Sequence, residues 1–111
     1  MNDSAPLHRA ADCVLAVETA MREAGLWHDH VPTPAAMASR TPFCADTLDF
    51  SQWLQFVFIP RMRSLIEAGG PLPEASSIAV MAEARLDTAN VHAGRVVTEL
   101  AAFDRLISER A

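Results

Sequence analysis

Apolar residues recur every three or four positions near the start of the chain: Leu7, Ala10, Val14, Val17, Met21 and Ala24. At helical pitch they share one face, while Arg9, Asp12, Glu18, Arg22 and Glu23 fall on the others. The pattern predicts an amphipathic helix over residues 6–24. Ser4 is placed to cap its free N–H groups, Pro6 is tolerated in the first turn, and Gly25 suits the left-handed end. Residues 26–48 lose the periodicity and carry Pro32, Pro34 and Pro42. A loop of that length inside a compact domain is uncommon and tends to be functional. A short helical turn is expected around residues 35–38, with Trp27 and Phe43 as aromatic pegs onto the core.

The periodicity returns over residues 50–68. Asp49 and Gln52 have capping-box spacing, Leu48 and Trp53 that of a hydrophobic staple, and Gly69-Gly70-Pro71 ends the helix. Trp53 to Ile59 is apolar nearly all round, so this helix is expected to be central and buried. Pro60 removes the backbone bond to the carbonyl of Phe56, and a bend is expected there. A third helix is predicted over 77–86. A fourth, over 91–109, sets Val96, Val97, Leu100, Phe103, Leu106 and Ile107 at helical spacing, with Gly94 weakening its first turns. No sustained two-residue alternation is present. The expected fold is all-α: one domain over residues 1–111, a four-helix irregular bundle with a long ordered loop between helices 1 and 2.

Composition narrows the function. The chain has 111 residues, of which 34 are Val, Ile, Leu, Met, Phe or Trp and 20 are Ala. That suffices for one core and excludes a disordered chain. Nine Arg, no Lys and 14 acidic residues give a net charge of −5. An acidic chain repels phosphate backbones, so bulk nucleic-acid binding is not expected. The exclusive use of Arg fits a coding bias, given the abundant Ala. Cys13 and Cys44 form no metal or disulfide pattern and read as reduced thiols. With no secretory signal or membrane span, a cytoplasmic location is expected.

Catalytic motifs are missing: there is no HExxH, GxSxG or Gly-rich phosphate loop. His28-Asp29-His30 is the nearest approach to a metal cluster, but it supplies too few ligands, and neither metal nor cofactor is expected. Arg61 is the most informative residue. On a regular helix of about 100° per residue it shares the face of Phe50, Leu54, Val57 and Leu65. A guanidinium there needs a partner, such as Asp46, Glu83, Glu99 or Asp104, or a bound anion. Trp53 and Phe56 fit either the core or an aromatic platform, and Asp46 and Asp49 fit caps.

Ser39, Pro42-Phe43, Asp46-Thr47, Trp53-Leu54-Gln55, Ile59-Pro60-Arg61-Met62 and Pro71-Leu72-Pro73 carry a resemblance. They match, without gaps, the YqcC-like family of small bacterial proteins, which has no assigned function. A weaker match runs through Ile78-Ala79, Glu83, Leu86, Glu99-Leu100 and Asp104, and Trp27 falls where the family has a Trp. Relatives carry aromatic residues where this chain has Met81 and Ala82. The resemblance implies about four helices and a bacterial cytoplasmic setting. In some relatives the gene lies beside one for a tRNA pseudouridine synthase, which implies that enzyme as a partner or a shared pathway.

The reading that follows is a non-catalytic interaction module, an accessory to tRNA modification, with the synthase as candidate protein partner. The competing reading is a small-molecule or anion-binding protein, or an enzyme, with a cleft around Arg61. Candidate binding residues are Ser39, Pro42, Phe43, Asp46, Trp53, Gln55 and Arg61. Direct RNA contact through Arg40, Arg61 and Arg63 is a third reading, and a homodimer remains open.

Overall fold

The C-terminal helix carries six buried side chains (Ala93, Val96, Leu100, Phe103, Leu106 and Ile107), and the other helices assemble on that apolar face. The structure, a computed structural model, describes residues 4–109. Its helices are α1 (Ser4–Glu23), the single turn α2 (Pro34–Met37), α3 (residues 50–67), α4 (Ile78–Arg85) and α5 (Val91–Glu109). A 3-10 turn, Pro42–Cys44, lies between α2 and α3. No strand occurs among the described residues. The expected all-α architecture is therefore correct, with the short α2 turn and the 3-10 turn ordering the long loop. α1 packs most extensively on α5; α4 packs on α5, and α3 on α1.

Local signals account for most helix ends. Thr33 Oγ1 accepts from the Ala36 N–H at 3.1 Å, and Pro34 opens α2 behind it. Gln52 Oε1 accepts from the Asp49 N–H at 2.8 Å, one arm of the expected capping box. Gly25, Gly69 and Gly70 take positive φ just past α1 and α3. The side chain of Ser4, the expected cap of α1, lies outside the described residues.

α3 carries a π segment just before Pro60, where the bend is expected. It is α-helical over Phe50–Trp53, π-helical over Leu54–Phe58 and α-helical again over Ile59–Glu67. The Ile59 N–H bonds to the Leu54 carbonyl, five residues back. Pro60 explains this: its ring would collide with the carbonyl four residues earlier, and it has no N–H to offer. The wider turn relieves the collision and takes up one extra residue. The core face beyond it therefore slips by one position. The buried row is Phe50, Leu54, Phe58 and Met62, in place of Phe50, Leu54, Val57 and Arg61, while Leu65 and Ile66 are both half-buried. Met62 fills the core site and Arg61 turns out to solvent.

Asp104 also departs from expectation. Among the described residues it pairs with no Arg side chain. Its Oδ1 accepts from the Ser76 hydroxyl at 2.5 Å and the Ile78 N–H at 3.0 Å, and its Oδ2 accepts from the Ala79 N–H at 2.8 Å. A carboxylate on α5 thus caps α4, whose own N-cap residue, Ser77, makes no side-chain cap. Glu18 links α1 to α3 by pairing with both Arg22 and Arg63, and Arg22 lies 4.3 Å above the Trp27 ring. Asp104→Ala should lower stability by about 1–2 kcal/mol, the usual loss of a helix cap, with a smaller loss for Asp104→Asn. Urea unfolding of the two variants beside the parent measures it.

Candidate functional site

The site begins in the loop before α3. The Ser39 hydroxyl donates to Asp46 Oδ1 at 2.5 Å and accepts from the Thr41 N–H at 3.1 Å. The Thr47 hydroxyl donates to the Ala36 carbonyl at 2.6 Å, tying the loop to α2. Between these ties, Phe43 and Cys44 adopt left-handed backbone, with φ of 61° and 51°. Left-handed backbone costs a residue with a Cβ about 1–3 kcal/mol and persists where surroundings hold it. Here the return is packing. The Phe43 ring meets Trp53 edge-on at 4.8 Å and Phe50 at 5.9 Å. Cys44 is buried below the Met37 and Ser39 carbonyls. Trp53 stacks on Phe58 at 5.7 Å, and Phe58 meets Phe103 edge-on at 5.2 Å. An unbroken aromatic row thus runs from the loop to the centre of α5.

A groove of about 250 Å³ opens on the far side of Trp53. Trp53, Phe58, Arg61 and Met62 come from α3, Ile78 from α4 and Phe103 from α5. Arg61 is exposed at its edge and forms no ion pair among the described residues. Each carboxylate weighed for it is elsewhere or engaged: Asp46 holds Ser39, Glu99 pairs with Arg95 at 2.9 Å, Asp104 caps α4, and Glu83 is exposed. A larger depression, about 640 Å³, lies between α1 and the start of α5. Its guanidinium, Arg95, already pairs with Glu99, and none of the residues carrying the resemblance lines it.

Ser39, Pro42, Phe43, Asp46 and Trp53 therefore belong to one loop-and-ring cluster, and Trp53 joins it to the groove of Arg61. Gln55 belongs elsewhere. It is buried and clamps the loop after α1, accepting from the His28 N–H at 2.7 Å and donating to the His28 carbonyl at 2.9 Å. His28 Nε2 lies 2.9 Å from the Ser51 hydroxyl. The role of Gln55 is thus to hold backbone to α3, and His28 meets Ser51 of the same helix. Sequence reasoning did not reach the Ser51 and His28 contact. The i, i+4 pair of polar residues Ser51 and Gln55 inside an apolar run is the signal that marks it. Among the described residues no helix is long and apolar enough to cross a membrane, and both cysteines are free. Burial pushes the Cys13 thiol pKa up, with a smaller upward push from Glu99.

Comparison with known proteins bears on this geometry. A family model described as tRNA pseudouridine synthase C matches residues 9–106. The chain is 35% identical over 96 residues to the uncharacterized protein YqcC of Escherichia coli, covering 86% of this chain and 88% of that one. An uncharacterized protein of Haemophilus influenzae is 34% identical over 90 residues, covering 81% and 84%. A Pectobacterium carotovorum protein named tRNA pseudouridine synthase C is 39% identical over 59 residues, which are 53% of this chain and 16% of that protein. The solution structure of YqcC from E. coli superposes with a TM-score of 0.82 at 33% identity, covering 96% of this chain and 91% of that one.

Two outcomes are expected. Gln55→Leu leaves the part-buried His28 N–H and carbonyl without their side-chain partners and should destabilise the chain by about 1–3 kcal/mol in urea unfolding. The Ser39 hydroxyl favours the charged form of Asp46 and holds its carboxyl pKa below the usual 3.8. The stability this adds is complete above the unfolded-state value and lost as pH falls through the lowered folded value. A carboxyl NMR titration should place Asp46 below 3.8, and Ser39→Ala should return it towards 3.8.

Proposed function

This chain belongs to the YqcC-like family, and from that premise we propose that it is a non-catalytic interaction module. It serves tRNA modification by binding the pseudouridine synthase of the same bacterium. One observation carries the reading: a stretch similar to 59 residues of this chain lies inside a Pectobacterium protein named tRNA pseudouridine synthase C. Two modules joined in one polypeptide meet at an effective concentration in the millimolar range for a short linker. A module on a separate chain lacks that help and needs an interface of its own. Charge supports the pairing: a tRNA-binding enzyme presents a basic surface, and a chain of net charge −5 complements it. Site chemistry also favours binding over catalysis, because Ser39, Asp46 and Gln55 are all engaged in holding the loop.

A second reading, an anion-binding protein, draws on the exposed Arg61 guanidinium beside its groove. Titration with inorganic phosphate, followed by tryptophan fluorescence through Trp53, tests it; saturation is its expected sign.

The preferred reading is tested with the purified chain and the purified synthase from one organism in a calorimetric titration. Saturable binding that weakens with added salt is expected. Absence of binding at low salt, together with unchanged tRNA pseudouridylation when the chain is added, rejects it.

A further inference from the structure

We infer that the groove beside Arg61 is a socket for a segment of a partner protein in which a large apolar side chain neighbours an Asp or Glu. The apolar side chain seats against the half-buried Trp53 ring and Ala75, above the buried Phe58, Met62 and Phe103, and the carboxylate pairs with Arg61. The inference deepens the proposed function and rests on it for the identity of the partner.

Charge complementarity is the first support. Arg61 stands at the edge of an apolar floor without an ion-pair partner among the described residues, whereas Arg63, two positions on, is paired with Glu18. A guanidinium beside a desolvated surface forms its strongest bond with a carboxylate, often bidentate. Asp104 is a nearby carboxylate, since Ser76 and Ile78 of the groove are its hydrogen-bond partners. Three donors and the start of α4 offset it, so it does not stand in for the missing carboxylate. Size is the second support. At about 250 Å³ the groove falls below the roughly 300–1,000 Å³ of small-molecule and cofactor sites. It matches an anchor pocket for one side chain at a protein interface. Rigidity is the third. The Trp53 wall is braced by Phe43, held in left-handed backbone, so little ordering remains to be done on binding.

The test uses the purified full chain and two variants at exposed groove positions, Arg61→Glu and Ala75→Trp. The first reverses the charge, and the second fills the groove; unchanged thermal unfolding shows that both fold. Peptides with blocked ends are selected from a random library on the parent chain and their affinities measured on all three. Recovered peptides should place a large apolar residue beside Asp or Glu and lose about tenfold or more on each variant. Peptides without an acidic residue, peptides that bind Arg61→Glu unchanged, or no recovered peptide would overturn the socket. The synthase titration is repeated with the same variants. Binding of the synthase that neither variant weakens overturns the socket while leaving the association intact. Peptide selection as expected with no synthase binding by the parent sustains the socket and rejects the synthase as partner.

Discussion

A proline without an N–H, set in the middle of a helix that packs one face into the core, is the constraint on which this molecule is built. A regular α-helix through Pro60 drives its ring into the carbonyl four residues back. The five-residue π segment from Leu54 to Phe58 answers the collision by widening. The added residue re-indexes everything downstream. Phe58 and Met62 move inward, Arg61 moves outward, and one charge that a regular helix would bury meets water. Burying that charge unpaired would be costly, so the slip also removes an electrostatic penalty.

The slip ties together features that look independent. A second buried row on α3, Ser51, Gln55 and Ile59, faces inward beside the main one. Its two polar members are the ones that grip His28 and the loop after α1. On the other side, Trp53 and Phe58 sit one turn apart around the wide segment, and their stacking continues through Phe43 into the second loop. The long connection between α1 and α3 is therefore ordered at both ends by the same helix: by amide bonds near His28 and by rings near Phe43.

Much of this was legible in the residues because helix ends are written locally. Asp49 with Gln52, and Gly69 with Gly70, act within a few positions of themselves, and the apolar face of α1 repeats at a pitch that nothing disturbs. The face of α3 was misread for a physical reason: projecting Arg61 beside Leu54 assumes about 100° per residue throughout, and the π segment breaks that assumption. The clamp between Gln55 and His28 and the reach of Asp104 to Ile78 span more than twenty positions. Their partners are set by packing, which no local pattern records. The left-handed Phe43 was hidden similarly, since nothing in Pro42-Phe43-Cys44 demands positive φ until Trp53 supplies the ring against which it packs.

The carboxylate that α5 lends to α4 has a bearing on how the fold opens. A helix of eight residues holds little stability by itself, and the first N–H groups of this one find their acceptors on another helix. α4 is then conditional on α5 being docked: when α5 detaches, α4 loses its cap and much of its packing together. The two helices are thereby coupled as a unit in one direction: α4 can open while α5 stays docked, whereas α5 cannot leave without releasing α4. The groove shares that fate. One of its walls, Ile78, belongs to α4 and part of its floor, Phe103, to α5, so the surface offered to a partner persists only while that unit stays closed.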